Sequence, residues 1–393
     1  MYVPIYQGLT PLDLVRPVRP RAGCFPFDAP RHWYFYRARN AIYHLFRILA
    51  STRTRLTVLA PDYNSGNEVL AMQAAGATIR YCPIGRDMRL DPLEVARLSD
   101  RHAPDVLYVI HYVGWPQPMA ALEDLCRRRN MLLIEDCALA LLSGSEGRPL
   151  GSFGHWSVFC LYKTLPLPNG AVLVQNTRDA AVQAAVDRVA LASPGAASST
   201  GRAAELVVQR LRSRADRIGS ALYWLKRAIG RTASALHVPR AKIGDIGFDL
   251  GDVDLAMSPL STRLLRRLDF EAIRRRRVAN FQQLAERLRG RATPVFADLP
   301  DGVCPLFFPI LVPDKHAAAL ALQARGVEAL EFWNDRIDLD GCETSDAERF
   351  LRAHVLELPI HQDLTPRHVD YVARQVSTLD LRMPDVADAV CAA

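Results

Sequence analysis

Two apolar runs in this chain each end in a residue that can do chemistry. Leu132-Leu133-Ile134-Glu135-Asp136 closes on a carboxylate, and Ser157-Val158-Phe159-Cys160-Leu161-Tyr162-Lys163 closes on an amine. A strand ending in aspartate, followed by a strand ending in lysine, is what an enzyme needs to hold pyridoxal 5'-phosphate (PLP) from opposite sides. The Lys163 amine would condense with the cofactor aldehyde as a Schiff base. Asp136 would pair with the protonated pyridine nitrogen and keep the ring electron-withdrawing.

Those two residues need a frame that brings strand ends together. From about Trp33 to Asn176, short apolar strands alternate with amphipathic helices. Residues 38–49, 67–75, 92–99 and 119–129 have helical periodicity. Residues 56–60, 78–82 and 106–113, and the segment from Met131, have the composition of strands. This alternation predicts an α/β fold, a mainly parallel sheet covered on both faces by helices, and ligands in such sheets bind beyond the carboxyl ends of the strands. Asp136 and Lys163 both fall at such ends.

With 393 residues, 49% of them hydrophobic, the chain can bury a large core and is long enough for a large and a small domain. We expect an N-terminal arm over 1–37 and a large domain over 38–250 with a basic helical insertion at about 180–247. A linking helix and small α/β domain over 251–382 and a poorly ordered tail over 383–393 complete the division. One long basic helix is expected over 260–289. In the insertion, Ala204, Val208, Leu211, Ala215, Ile218, Leu222, Leu225 and Ile229 recur at steps of four and three, while Arg210, Arg212 and Arg214 fall outside that seam. A helix packed on the body or on a second subunit is one reading. A basic amphipathic helix on an anionic membrane surface, with Tyr223 and Trp224 near the interface, is the other.

The net charge of +7 comes with 42 acidic residues and no nucleic-acid-binding motif, so it reads as solvated surface and no nucleic acid is expected as partner. The eight cysteines are scattered without metal-ligand spacing, which fits reduced thiols, no metal site and a cytoplasmic location better than a disulfide scaffold. Met1-Tyr2-Val3-Pro4-Ile5 is not the start of a signal sequence, and no apolar run approaches the roughly 18 residues of a spanning helix.

From about Ala38 to Tyr371 the chain resembles the DegT/DnrJ/StrS sugar aminotransferases, PLP enzymes of fold type I, the aspartate aminotransferase fold. The resemblance rests on His111-Tyr112-Val113-Gly114-Trp115-Pro116, Ile134-Glu135-Asp136-Cys137-Ala138, Leu150-Gly151-Ser152-Phe153-Gly154, Lys163 with Asn169-Gly170, and Leu358-Pro359-Ile360-His361. It implies a seven-stranded type of sheet, a homodimer, Lys163 as Schiff-base lysine and Asp136 as partner of the pyridine nitrogen. It further implies Ala138 as the small residue under the ring, Cys160 in place of a phosphate-binding serine, and Asn64 or Ser65 near the position of a ring-stacking side chain. His111 lies at a strand end facing the same crevice, with a satisfied core histidine as the competing reading.

The chain also departs from the family pattern. Arg37-Ala38-Arg39-Asn40 stands where the family has a Ser-Gly-Thr phosphate cradle, so that an arginine such as Arg39 would bind the phosphate by charge. Leu139 replaces a Gln or His, and Gly251 to Met257 replaces residues that the family supplies from a second subunit. The resemblance implies amino transfer from an amino acid such as glutamate to a keto sugar nucleotide. A PLP-dependent lyase, racemase or decarboxylase, and a non-catalytic scaffold or membrane-associated partner of the same fold, are the alternatives.

Overall fold

A computed structural model of the chain describes residues 1–19, 23–214, 247–339, 341, 343–381 and 383. The large domain is built on a seven-stranded sheet of β1 (His32–Phe35), β2 (Leu56–Pro61), β3 (Ala77–Cys82), β4 (Val106–Ile110), β5 (Leu132–Asp136), β8 (Trp156–Cys160) and β9 (Ala171–Gln175), in the order β1-β9-β8-β5-β4-β2-β3. Strands β3, β2, β4, β5 and β8 pair in parallel, while β9 runs antiparallel to both of its neighbours. A small hairpin, β6 (Gly144–Ser145) and β7 (Arg148–Pro149), interrupts the run between β5 and β8.

Helices α1 (Ala38–Ser51), α2 (Asn67–Ala74), α3 (Pro92–His102) and α4 (Met119–Arg128) make the crossovers. They start and stop where local chemistry directs. In α3, the Asp91 side chain accepts from the Leu93 amide at 2.9 Å, Pro92 occupies the first turn, and Ala103 ends the helix in the left-handed region at φ 43°.

Strand alternation divides the core in two. Tyr108, Ile134 and Val158 face the cluster that includes α1 and α2, while Leu107, Val109, Leu133 and Phe159 face the opposite cluster, which contains Leu122 and Cys126 of α4. Asp136 is in phase with Ile134 and Glu135 with Leu133. These neighbouring carboxylates therefore leave the same strand on opposite faces.

Helix α5 (Leu161–Thr164) lies between β8 and β9, and beyond β9 come α6 (Ala180–Asp187), α7 (Ala196–Arg214), α8 (Pro259–Leu265) and α9 (Phe270–Leu288). The single helix expected over 260–289 is two, because Asp269 accepts from the Ala272 amide at 2.9 Å and caps a new start. The small domain holds a four-stranded antiparallel sheet of β10 (Thr293–Pro294), β11 (Phe308–Leu311), β13 (Val355–Leu358) and β12 (Leu330–Glu331), with helices α10 (Lys315–Ala324), α11 (Asp346–His354) and α12 (Pro366–Val376). Within residues 1–37, His32–Phe35 forms the sheet edge and Val3 bridges Val327 of the small domain.

Helix α7 turns a different face to the body than its apolar spacing predicts. Ser199 and Leu206 are its buried residues, with Ala203 and Val207 packed beside them, whereas Ala204 and Leu211 are exposed. The remaining positions of the expected seam, Ala215, Ile218, Leu222, Leu225 and Ile229, lie outside the described residues, as do Tyr223, Trp224 and the tail over 384–393. No helix among the described residues is long and apolar enough to cross a membrane.

One buried cation ties the domains together. Arg277 of α9 is 1% exposed. It donates to Leu306 O at 2.8 Å, Gln362 Oε1 at 2.9 Å, Gln7 Oε1 at 3.1 Å and Thr164 O at 3.2 Å. Burial lowers its pKa to about 10, so it stays charged at neutral pH. Arg277→Leu, which takes this donor from Leu306 O, Gln362 Oε1 and Gln7 Oε1, is expected to destabilise the protein by about 3–5 kcal/mol, measured as a lower urea midpoint.

Candidate active site

The cleft between the domains holds a cavity of about 290 Å³, near the lower end of the range of small-molecule sites. Its floor is the carboxyl end of the parallel sheet, where Asp136 ends β5 and Cys160 ends β8. Asp136, Ala138, Leu139, Cys160, Tyr162 and Lys163 all line it.

Asp136 is 6% exposed. Its Oδ2 accepts the Tyr108 hydroxyl at 2.6 Å and its Oδ1 accepts the Ala138 amide at 2.8 Å. Tyr108 sits in register with Ile134, two residues before Asp136 on the same face, so the hydroxyl reaches the carboxylate diagonally across the sheet. Burial raises the Asp136 pKa above the usual carboxylate range. The Tyr108 and Ala138 hydrogen bonds and the charges of Lys163 and His111 pull the other way. Such a carboxylate gains from a cationic N–H placed against it.

Lys163 projects from α5, a single helical turn. The carbonyls of that turn are held by groups distant in sequence: Gln7 Nε2 donates to Leu165 O at 2.8 Å and Tyr162 O at 3.2 Å, and Gln362 Nε2 donates to Thr164 O at 3.1 Å. Its own amine has no hydrogen bond or ion pair among the described residues. Across the cleft, Glu357 of β13 is fully buried and neither carboxylate oxygen has a hydrogen-bond partner. Burial pushes its pKa well above the carboxylate range, against the opposing charges of Lys163 and Lys315.

The start of α1 forms one wall, with Arg37, Ala38 and Arg39. Arg37 is 5% exposed, its nearest carboxylate is Asp252 at 3.9 Å, and its Nη2 is buried without a partner. Arg39 donates to Asn67 Oδ1 at 2.8 Å and Gly247 O at 2.6 Å. The loop before α2 supplies Ser65, whose amide and hydroxyl both bond Glu68. The opposite wall comes from Tyr6, Gln7, Phe332 and Trp333.

Two expected contacts fall elsewhere. Asn64 is buried outside the cavity lining, where its Nδ2 donates to Pro61 O at 2.9 Å and its Oδ1 accepts the Gly66 amide at 3.0 Å, so it shapes the loop. His111 is fully buried on the other face of the sheet: Nε2 bonds Glu135 at 3.0 Å and Nδ1 accepts the Gln117 amide at 3.2 Å. It is a satisfied core histidine. Glu135 in turn accepts the amides of Gly151, Phe153 and Gly154 and fixes the loop leading into β8. The segment 251–257 packs on its own α1, where Asn40 donates to Asp252 O at 2.5 Å and His44 Nε2 lies 3.0 Å from Val253 O. Sequence reasoning had missed Tyr108, Gln7, Glu357 and the small-domain aromatics. Only Tyr108 left a signal, its place in a strand parallel to the one ending in Asp136.

PLP fits the residues present. A buried carboxylate, a small residue beside it at Ala138, a lysine free of hydrogen bonds and an unpartnered buried guanidinium nitrogen at a helix N-terminus match its pyridine nitrogen, ring, aldehyde and phosphate.

Residues 49–204 match the DegT/DnrJ/EryC1/StrS aminotransferase family. The chain is similar to GDP-perosamine synthase of Vibrio cholerae, 28% identical over 123 residues, 30% of this chain and 33% of that protein. It is also similar to L-glutamine:scyllo-inosose aminotransferase of Streptomyces griseus, 38% identical over 98 residues, 24% and 23% of the two chains. The matches to the first relatives span only 30–37% of their lengths. In fold it is similar to the Helicobacter pylori aminotransferase PseC, involved in the biosynthesis of pseudoaminic acid, with a TM-score of 0.70 at 14% identity over 96% of this chain and 99% of that one. Asp136 and Lys163 both lie inside the segment that matches the DegT/DnrJ/EryC1/StrS aminotransferase family.

Proposed function

We propose that the protein is a PLP-dependent aminotransferase that moves an amino group from an amino acid such as glutamate to a keto sugar nucleotide, in polysaccharide or glycosylated-metabolite biosynthesis. The observation that carries it is the convergence of Asp136 and Lys163 on one cavity from the ends of adjacent parallel strands. Bound there, PLP supplies an electron sink for a carbanion. Asp136, held by Tyr108 and the Ala138 amide, keeps a proton on the pyridine nitrogen. Lys163 anchors the cofactor and, once released by the donor, carries a proton to and from the reacting carbon. Arg37 and the first amides of α1 offer donors to a phosphate, and Ala138 leaves room for the ring. The sugar nucleotide as acceptor is supported by relatives such as the GDP-perosamine synthases and a dTDP-4-dehydro-2,3,6-trideoxy-D-glucose 4-aminotransferase. A cytoplasmic homodimer is part of this reading, to be checked by sedimentation.

The purified protein with added PLP is expected to show a visible absorption band, and borohydride reduction followed by mass analysis should fix the cofactor's mass on Lys163. Lys163→Ala should lose the linkage and reduce turnover by about 10²-fold or more. Glutamate without acceptor should bleach the band and release 2-oxoglutarate stoichiometric with protein. Bleaching without keto acid would point to a lyase, racemase or decarboxylase, and no PLP uptake at millimolar concentration would end the enzymatic reading.

Glu357 gives a pH prediction. Its pKa is raised in the folded protein, so the stability linked to its proton is complete below the unfolded value of about 4.3 and lost as pH rises toward the folded value. Glu357→Gln keeps the neutral form at every pH. It should therefore match the parent near pH 4 and exceed it above, by up to about 1.4 kcal/mol per pH unit, in urea unfolding at pH 4, 6 and 8. A variant less stable than the parent at pH 8 would mean that Glu357 is ionised and paired.

A further inference from the structure

Helix α7 brings a second guanidinium to the cleft. Its body-facing side carries Ser199, Arg202, Leu206 and Arg210, one to two turns apart, and Arg202 and Leu206 line the main cavity. The helix is pinned there from end to end. Ser198 Oγ lies 3.1 Å from the Tyr36 hydroxyl, and Asn169 donates to Ser199 Oγ at 3.3 Å. Leu206 O accepts the Leu9 amide at 3.1 Å, Gln209 donates to Tyr6 O at 2.5 Å, and Arg210 pairs with Asp363 at 2.5 Å.

Arg202 and Arg37 share two walls. Both line the main cavity, and both line a small adjoining one of about 10 Å³ with Tyr162 and Asn169. Each has a buried nitrogen with no partner, Nη2 of Arg37 and Nε of Arg202. Their carboxylates lie to the side: Asp252 is 3.9 Å from Arg37 and Glu205 is 2.7 Å from Arg202. Two like charges with buried unpaired donors are costly when nothing lies between them. The first amides of α1, at Ala38 and Arg39, add donors at the same place, because a helix start has no carbonyl one turn earlier to bond them.

We propose that Arg37 and Arg202 form a two-guanidinium clamp for a phosphoryl dianion at the α1 end of the cleft, so that α7 completes the site within one chain. A phosphate offers several acceptor oxygens and double charge, which matches the fork geometry of two arginines. The clamp stands on the geometry of the pair. The PLP reading bears only on whose phosphate fills it, that of the cofactor or that of a nucleoside diphosphate.

The test uses the full chain, Arg37→Gln and Arg202→Gln, each checked for a parental melting profile, and Arg202→Lys. Inorganic phosphate titrated into PLP-free protein and followed by ³¹P line width should bind at least tenfold more weakly to either Gln variant, with partial recovery in Arg202→Lys. A matching loss of affinity for PLP, with affinity for phosphate-free pyridoxal unchanged, assigns the clamp to the cofactor. Unchanged PLP affinity with a tenfold weaker binding of uridine diphosphate to PLP-loaded protein assigns it to the substrate. Phosphate binding in Arg202→Gln within twofold of the parent overturns the proposal. Failure of both PLP and pyridoxal to label Lys163 in the parent would instead remove the cofactor reading and leave the phosphate titration to decide the clamp.

Discussion

A one-turn helix cannot satisfy its own carbonyls, and the placement of Lys163 depends on how this protein solves that problem. The turn at Leu161–Thr164 ends with acceptors that an ordinary helix would cover with further residues. Here Gln7, Gln362 and Arg277 cover them, and Arg277 also bonds Leu306 of the small domain. The turn that carries the amine is thus held by donors from the N-terminal segment, the linking helix and the small domain. A buried guanidinium has to be surrounded by acceptors, and a buried turn has to be surrounded by donors. Each demand meets the other.

The second organising constraint is the two-residue period of the central strands. Glu135 and Asp136 have nearly the same chemistry but opposite fates. Glu135 faces the far layer, where three backbone amides and His111 consume it, and Asp136 faces the cleft, where Tyr108 orients it. A slip of one residue in β5 would exchange them and leave the site without its carboxylate.

What could be read in the sequence follows from the range of the signals. The alternation of strands and helices through β9 is local, as are the caps at Asp91 and Asp269, and Asp136 and Lys163 stood out because each ends an apolar run. Helix α7 turns to the body a stripe that begins at Ser199 and holds Arg202, both polar, while the apolar spacing that the sequence displays runs through the exposed Ala204 and Leu211. For His111 the sequence leaves crevice and core both open, because position along a strand gives depth but not side. Gln7, Arg277 and Glu357 carried no signal: their roles exist only once residues more than a hundred positions apart are brought together.

Residues 3–8 lie against residues 327–363 of the small domain. Val3 bridges Val327, His361 Nε2 donates to Pro4 O at 3.1 Å, and the Gly8 amide donates to Asp363 at 2.8 Å. Residues 3–8 have no seat until residues 327–363 have been made. The large sheet can form earlier, but the carbonyls around Lys163 stay open to water until Gln7 and Gln362 arrive together. The lysine turn therefore depends on long-range contacts, and a nascent chain that has completed its sheet still lacks the donors that cover it.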